Sequence, residues 1–343
     1  MNEFYNKIQY FESTEKIPTK IYYHYTSLDA LFSIVTSKTF RLTSLKSSND
    51  KKELYYKPEE FISNFSNICN NEKDESTKKY LYLVEESIKN NEQQFFEECK
   101  KKVSPYALCL SEKKDNLTHW DRYASGCTGV CIGFNTSSLE VHMQRMAITA
   151  FGVGLYDVGK VFYSLEQKEK YIRSIVIKIM NALKDALSKK RPIEKGDITG
   201  IIQENGYIYA AVAYMRLMKF SKNSSFMDED EVRLYHDSTS IKDTLNLIDQ
   251  VASSLEPELQ KNLKKNFMEF VKQLHLREER FFMAKSGIRS YKELCLEEVW
   301  GSGAIPEIVL GPLCIQNRNE LKRFLKANGL EGTKISVSQV PIR

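Results

Sequence analysis

Several features that would define a function directly are scarce or absent in this sequence. The seven cysteines include no Cys-x-x-Cys pair, and Cys127 and Cys131 are the only two that lie close together. Structural zinc sites need two close pairs, or Cys and His at short spacing. We therefore expect no metal site, and thiols that stay reduced as in the cytoplasm. No apolar run reaches about 18 residues, and residues 1–10 are charged without an apolar core, so we expect neither a membrane span nor a signal peptide.

Glycine and proline are also few, with 15 and 8 residues among 343. Neither Gly-x-Gly-x-x-Gly nor the Walker pattern occurs, so a glycine-rich phosphate loop is absent. The net charge of +5 comes from 50 basic and 45 acidic residues. This balance is not that of a dedicated nucleic-acid-binding protein, although a local basic face remains compatible with it.

What the sequence does contain is enough apolar material for a sizeable core. Hydrophobic residues make up 42%, and 19 Tyr and 18 Phe are among them. Residues 165–190 repeat apolar positions every three or four residues, as a helix does, and residues 128–134 are typical of a buried strand. Strands at both ends with helices between them predict a single α+β domain over residues 1–343, with a mixed or antiparallel central sheet. We expect helical insertions near residues 52–102, 165–219 and 241–276.

Residues 22–28, Tyr-Tyr-His-Tyr-Thr-Ser-Leu, combine aromatic rings, one imidazole and hydroxyls in a short predicted strand. A predicted helix and then a second strand, Phe-Arg-Leu-Thr-Ser at residues 40–44, follow it. Such a unit can frame a pocket for a sugar or a nucleotide. The hydroxyls of Thr26 and Ser27 favour a ribose contact by His24, while the alternative is a hydrogen-bonded structural histidine.

A series of sequence blocks occurs in a fixed order along nearly the whole chain. These blocks are residues 23–28, 40–42, 48–53, 107–112, 119–124, 129–134, 226–234, 305–312 and 337–343. The ordered set resembles the bacterial family catalogued as domain of unknown function 2971. The chain departs from that family at Lys51 and Lys52, which replace Pro and Phe, and at Val232, which replaces an aromatic residue. The family name carries no activity.

A looser similarity does imply an activity. An early strand with His, a middle block with Ser and Tyr, and a late strand with Glu-x-Glu are similar to the ADP-ribosyltransferase superfamily. The similarity implies that His24 holds the adenosine ribose of NAD and that Trp120 or Tyr123 stacks on the nicotinamide. It also implies that Glu231 is catalytic, with Glu229 as its partner.

Other residues extend this candidate site around the NAD molecule. They are Tyr25, Thr26, Ser27, Arg41, Ser111 and Arg233. Arg41 can pair with a phosphate, or only cover the strand surface. Ser111 can bond a ligand, or only close its strand. Trp120 and Tyr123 can stack a base, or belong to the core.

The two glutamates suit the chemistry of NAD cleavage, which passes through an oxocarbenium-like state that a carboxylate stabilises. Glu229 and Glu231 are two residues apart, so in a strand they share a face, and Arg233 lies on that face too. Like charges there raise one pKa unless a cation is near. The alternative is a solvated ladder of ion pairs on an edge strand. The rival acidic block at 277–280 is typical of a helix end.

Two further polar segments have simpler explanations. Asn49-Asp50 is typical of a turn that fixes a loop rather than of a ligand site. The basic run at residues 189–191 is typical of a solvated helix end, with nucleic-acid contact as the alternative.

The leading hypothesis is thus a cytoplasmic NAD-using enzyme of ADP-ribosyltransferase type, a toxin or anti-phage effector. It would need no metal and would transfer ADP-ribose to a nucleic acid, to a protein or to water. The second hypothesis is a non-catalytic nucleotide- or nucleic-acid-binding sensor module of a bacterial defence system. A nuclease-like hydrolase is the weakest, because no Asp/Glu cluster has metal-ligand spacing. The sequence leaves the oligomeric state open.

Overall fold

The computed structural model describes residues 21–48, 53–103, 105–135, 156–188, 210–211, 213–236, 279–284, 287–301 and 303–342, together with residues 258, 261 and 265. Their contacts divide the chain into two compact units. Unit 1 comprises residues 1–47, 105–160 and 227–343, and unit 2 comprises residues 48–104 and 161–226. The expectation of a single domain stays a prediction.

Unit 1 contains a ten-stranded sheet, so the chain has the α+β fold that the sequence predicts. The strands are β1 (Ile21–Thr26), β2 (Thr39–Ser44), β3 (Tyr106–Ser111), β4 (Val130–Asn135), β5 (Tyr156–Lys160), β6 (Glu231–His236), β7 (Arg280–Ala284), β8 (Gly287–Cys295), β9 (Glu307–Leu310) and β10 (Lys334–Val337). The sheet is mixed: β9 and β10 are parallel, and the other strand pairs that the structure describes are antiparallel.

The order β10-β9-β4-β1-β3-β2-β8-β7 forms the main path of the sheet, and β6 and β5 branch from β3. β3 pairs with β6 along its whole length. β1 and β2 share the other edge of β3, β1 at Ser111 and β2 at Tyr106 and Ala107. β1 and β2 therefore pair with opposite ends of the same edge of β3.

The two faces of this sheet differ in chemistry because successive side chains of a strand alternate between faces. One face, called here the core face, carries Tyr22, Leu108, Ile132 and Val232 in a large buried cluster. The other, called here the polar face, carries Tyr23, Ser111 and Glu231, which stand opposite one another in register. A cluster of seven buried residues also covers part of the polar face, among them Tyr25, Trp120 and Cys131.

Two helices cover the core face, α1 (Leu28–Ser37) and one near the C-terminus (Arg318–Ala327). Ser27 caps α1 through a 3.1 Å hydrogen bond that its Oγ accepts from the N–H of Ala30, which satisfies one of the free donors of the first turn. α1 buries Leu31, Ile34 and Val35, at the three-to-four-residue spacing of an amphipathic helix.

Unit 2 is helical and has its own core. The helices among its described residues are α2 (Pro58–Asn71), α3 (Glu75–Asn90), α4 (Glu92–Lys102), α6 (Leu165–Ser188) and α7 (residues 210–211 and 213–220). α5 (Leu117–Tyr123) belongs to unit 1, and the helix at residues 318–327 is α8. Phe61, Phe95, Phe96 and Tyr214 meet in the core of unit 2, with ring centroids 4.6–6.4 Å apart.

The predicted helices near 52–102 and 165–219 are thus observed where the chain is described. The predicted insertion at 241–276, the turn Asn49-Asp50 and the basic run 189–191 lie outside the described residues. Among the described residues, no helix is long and apolar enough to cross a membrane.

Candidate active site

The acidic block does not form one continuous strand. Glu229 ends a 3₁₀ segment, Ser224–Glu229, and β6 begins at Glu231. Between them Asp230 has φ = 41°, in the left-handed region that a non-glycine residue seldom adopts. This turn sends the two carboxylates to different partners. The expectation that Glu229 and Glu231 share one strand face is therefore wrong, because Glu229 lies in the 3₁₀ segment and the left-handed Asp230 separates it from β6.

The carboxylate of Glu229 is held inside the protein by α5. The hydroxyl of Tyr123 donates a 2.5 Å hydrogen bond to Glu229 Oε1, and the guanidinium of Arg122 lies 3.8 Å from the same oxygen. The Glu229 side chain is only 6% exposed, whereas that of Arg122 is 48% exposed. The buried carboxylate of Glu229 thus lies next to an arginine side chain that is exposed to solvent.

The backbone of Glu229 is fixed as firmly as its side chain. Ser111 Oγ donates a 2.7 Å hydrogen bond to the carbonyl of Glu229, and His119 Nε2 lies 3.1 Å from the same oxygen. Ser111 Oγ also accepts a 3.1 Å bond from the N–H of Lys113. Ser111 at the end of β3 and His119 on α5 therefore position Glu229 from two sides.

His119 faces a hydrogen-bond acceptor at each ring nitrogen. Its Nδ1 lies 2.9 Å from Asn116 Oδ1, which also caps α5 by accepting from the N–H of His119. Two acceptors favour the doubly protonated ring. Burial nevertheless lowers the pKa of His119, and it outweighs the carbonyl and carboxylate of Glu229, which raise it. The neutral ring has one N–H and donates it to one of the two oxygens.

Tyr25 joins the sheet to this cluster. Its hydroxyl donates 2.8 Å to the carbonyl of Lys113 and accepts 3.1 Å from the N–H of Asn116. Its ring centroid lies 4.8 Å from that of His119 and 4.9 Å from that of Trp120. Burial raises the pKa of Tyr25, so its hydroxyl keeps its proton. Tyr25 therefore acts here through packing and through the order of the 113–116 loop.

Trp120 is fully buried and hydrogen-bonded, which agrees with core packing rather than an open stacking surface. Its Nε1 donates 2.6 Å to Asp115 Oδ1. The same carboxylate accepts from Ser338 Oγ at 2.6 Å and from the N–H of Gln339 at 2.7 Å. Burial raises the pKa of Asp115, but the bonds from Ser338, Gln339 and Trp120 outweigh it, so the pKa is lowered. Asp115 thus joins α5 to the C-terminal segment.

Glu231 and Arg233 form an ion pair on the polar face. Arg233 donates from Nε to Glu231 Oε1 at 2.8 Å and from Nη2 to Oε2 at 3.3 Å. Their side chains are 4% and 0% exposed. A two-pronged, desolvated pair of this kind fixes both side chains.

His24 does not lie with these residues. Tyr23 pairs with Ser111, and Ser111 pairs with Glu231, so these three share the polar face. His24 is the next residue along β1 and therefore points to the core face, where its ring contacts Phe40 edge-on at 5.7 Å. Its Nδ1 lies 3.0 Å from the carbonyl of Cys109, and burial lowers its pKa.

Thr26 is likewise on the core-face side of β1, and Ser27 serves as the cap of α1. Arg41 points to the polar face, opposite Glu293 on β8. There its guanidinium lies over the rings of Tyr291 and Phe282. The structure thus brings Tyr25, Ser111, Trp120, Tyr123 and Glu229 together, and it places His24 and Arg41 elsewhere.

Four residues whose side chains take part in this cluster were not among the predicted site residues: Asp115, Asn116, His119 and Arg122. His119 and Arg122 lie in the block at 119–124. A single sequence does not show that the His119 ring contacts the carbonyl of Glu229, because the two residues are 110 positions apart. Asn116 has the detectable signal, since Asn before a helix is a common cap. Among the described residues, no group of three or more His, Cys, Asp or Glu side chains is arranged to hold a metal ion.

The fold and site define an α+β protein with a buried carboxylate clasped by one short helix. Residues 119–234 match the family model described as "Protein of unknown function (DUF2971)". The resemblance is thereby confirmed for this segment, which includes Tyr123, Glu229 and Glu231, while His24, Arg41 and Ser111 lie outside it. No curated protein and no solved structure matches the chain.

Proposed function

We propose that the protein is an NAD-consuming enzyme of ADP-ribosyltransferase type, with Glu229 as the carboxylate that faces the reacting ribose. One observation carries the proposal: Glu229 is buried, fixed by the Tyr123 hydroxyl at 2.5 Å, and next to the partly exposed Arg122. A carboxylate held in a low-dielectric position stabilises positive charge more strongly than one in water.

In the proposed reaction the bond between C1′ of the ribose and the nicotinamide nitrogen breaks. The nicotinamide leaves with the bonding electrons and becomes neutral, while positive charge develops on the ribose. An acceptor hydroxyl, of a macromolecule or of water, then forms the new bond to C1′ and releases its proton. Glu229 would stabilise the charged ribose, and Arg122 would pair with a phosphate of the substrate.

The proposal assigns to Glu229 the role that the sequence similarity gave to Glu231. The arginine beside Glu231, Arg233, is fully buried and lies 2.8 Å away, whereas the arginine beside Glu229, Arg122, lies 3.8 Å away and is 48% exposed. The location of His24 on the core face weighs against a shared pocket with either glutamate. A ribose contact from the side of α5, where Arg122 is exposed, is the better supported arrangement.

The test is release of nicotinamide from NAD by the purified protein, with and without nucleic acid and cell lysate. Glu229→Gln keeps the shape and the bond from Tyr123 but removes the charge, so it should abolish release. Glu320→Gln is the matched control, since Glu320 is an exposed side chain of α8. Full turnover by Glu229→Gln would refute the assignment.

A non-catalytic nucleotide-binding module is the second candidate. The contacts of the two carboxylates favour it, because each carboxylate is already held by protein side chains. Glu229 accepts from Tyr123 and lies next to Arg122, and Glu231 pairs with Arg233. It would give a rise in melting temperature with NAD or another nucleotide but no product. Absence of both release and thermal shift would count against both candidates.

A further inference from the structure

The end of the sheet formed by β2, β8 and β7 carries arginines and aromatic rings on one face. Register pairs Arg280 with Tyr291, Phe282 with Arg289, and Arg41 with Glu293. Residues directly opposite each other in antiparallel strands point the same way, and Arg289, Tyr291 and Glu293 alternate along β8. We call this set, Arg41, Arg280, Phe282, Arg289, Tyr291 and Glu293, the arginine–aromatic face.

The side chains of this face contact one another through cation–π and ring–ring interactions. The guanidinium carbon of Arg41 lies 4.7 Å from the ring centroid of Tyr291 and 5.4 Å from that of Phe282. The two rings pack edge-to-face at 5.6 Å. Tyr291 is buried, whereas Arg41 is exposed and Phe282 is half-buried. The rings therefore hold a flat cation in place at the surface, at the distances of a cation–π contact.

The described residues of the face carry more positive than negative charge, with three guanidinium groups and the carboxylate of Glu293. Arg280 contacts that carboxylate at 2.9 Å, and the Arg280 side chain remains 46% exposed. β7 ends the main path of the sheet. The opposite side of the same hairpin is apolar, with Phe281, Met283 and Ile288 exposed. Anionic ligands are thus directed to one side of the hairpin.

We propose that the arginine–aromatic face binds single-stranded nucleic acid. Flat rings and guanidinium planes stack on bases of any sequence, and further guanidinium groups pair with the phosphates. The exposed guanidinium of Arg41 on β2 and the half-buried ring of Phe282 on β7 supply the stacking surfaces. Arg280 on β7, with 46% of its side chain exposed, is placed to contact a phosphate. A duplex hides its bases from such a surface, and an acidic peptide offers carboxylates but no flat bases, so a single strand fits the combination best.

This inference is independent of the proposed NAD chemistry, because its test contains no NAD. The probe is a fluorescein-labelled oligothymidylate of about 12 nucleotides, a length within the usual range for one domain, and the readout is fluorescence anisotropy. The wild-type protein should bind it, with an affinity that falls steadily as salt rises from ~50 to ~200 mM. Binding to a duplex of the same length should be weaker.

Phe282→Ala should weaken binding about tenfold, the effect expected from losing one stacked base. Arg41→Lys keeps the charge and loses the flat surface, so it should weaken binding while leaving the salt dependence unchanged. Phe281→Ala is the matched control: it removes the neighbouring ring on the opposite side of β7 and should bind as the wild type does. Melting temperatures identify any variant that fails to fold. If Phe282→Ala fails to fold, the affinity of Arg41→Lys for the single strand tests the inference instead.

Three results would overturn the inference. They are no binding by the wild type at low salt, equal loss in Phe281→Ala and Phe282→Ala, and tighter binding to duplex or to polyglutamate than to the single strand. The last result would identify the face as a general anion surface or as a site for an acidic protein.

Discussion

The hydroxyl of Tyr123 and the carboxylate of Glu229 meet at 2.5 Å although 106 positions separate them in the chain. Tyr123 ends the short helix α5, and Glu229 ends a 3₁₀ segment just before β6. The contact depends on Ser111 and His119, which fix the carbonyl of Glu229 from the sheet and from the helix. A charge-assisted hydrogen bond of this length is among the stronger polar contacts of a protein.

Tyr123→Phe should lower the free energy of unfolding by ~1.5 kcal/mol, because the nearly buried carboxylate of Glu229 loses the hydroxyl that donates to it at 2.5 Å. Urea unfolding measures this loss. Tyr82→Phe is the control, since the Tyr82 hydroxyl bonds Asn70 at an exposed position, and it should cost far less. Equal stability of Tyr123→Phe and the wild type would contradict the buried contact.

Glu231→Ala should destabilise the protein by ~3 kcal/mol, because Arg233 loses a charged partner that accepts two of its hydrogen bonds in a site with no exposure. The double variant Glu231→Leu with Arg233→Met removes both charges and should be more stable than the single variant. Thermal and urea unfolding of the three proteins provide the comparison. A single variant as stable as the double one would show that the pair is not desolvated.

Asp115→Ala should release the C-terminal segment from α5, because one carboxylate accepts from Trp120, Ser338 and Gln339. Limited proteolysis near residue 338 should speed up, and the fluorescence of Trp120 should shift to longer wavelength. Asp121→Ala, at an exposed position of the same helix, is the control. An unchanged cleavage rate in Asp115→Ala would contradict the anchor.

The same residue predicts a loss of stability in acid. The pKa of Asp115 is lower in the folded protein than its ordinary value, so the unfolded chain takes up the proton first as pH falls. The stabilisation is therefore complete above pH ~4 and is lost below it, as pH falls through the folded-state pKa. Melting temperatures across this range should fall less steeply for Asp115→Ala.

The half-buried His24 and the buried His119 predict a second pH effect. Burial lowers the pKa of both His24 and His119, so below about pH 6.5 the unfolded chain binds protons that the folded chain refuses. Stability should fall as pH drops from 7.5 through 5.5, by at most ~1.4 kcal/mol per pH unit for each histidine. His119→Gln should reduce this slope. A melting temperature independent of pH would refute the prediction.

Gly129→Ala should destabilise the fold by ~2 kcal/mol, as overpacking does in tight sites. A Cβ there would lie 2.2 Å from the carbonyl oxygen of Thr26 and 2.8 Å from that of Ala124. Backbone atoms cannot move aside as a flexible side chain can. Gly332→Ala is the control, because nothing lies within 4 Å of its Cβ position. Chemical unfolding of both variants should separate them clearly.

Much of the fold was predictable because its signals are local. Apolar periodicity indicated the helix at Leu165–Ser188 and the strands at β3, β4, β9 and β10 within a few residues. The family resemblance is confirmed for residues 119–234. These features depend on residues near each other in the chain.

The candidate site was less predictable because it depends on the directions in which side chains point from their strands. The spacing of Glu229 and Glu231 suggested one shared face, and the left-handed Asp230 between them separates their side chains. His24 and Glu231 both belong to strands of one sheet, but whether two such residues face each other is set by register across β1, β3 and β6. A shift by one residue reverses the face, and a single sequence does not record that shift.

The sequence by itself determined the α+β class, the positions of most elements and the residue types from which a site can be made, since short-range periodicity and capping encode them. Only the tertiary structure decided that Tyr123 donates to Glu229, that Arg233 pairs with Glu231, and that the guanidinium of Arg41 lies over the rings of Phe282 and Tyr291. Those partnerships arise from strand pairing and chain reversal over long separations, which no local pattern specifies.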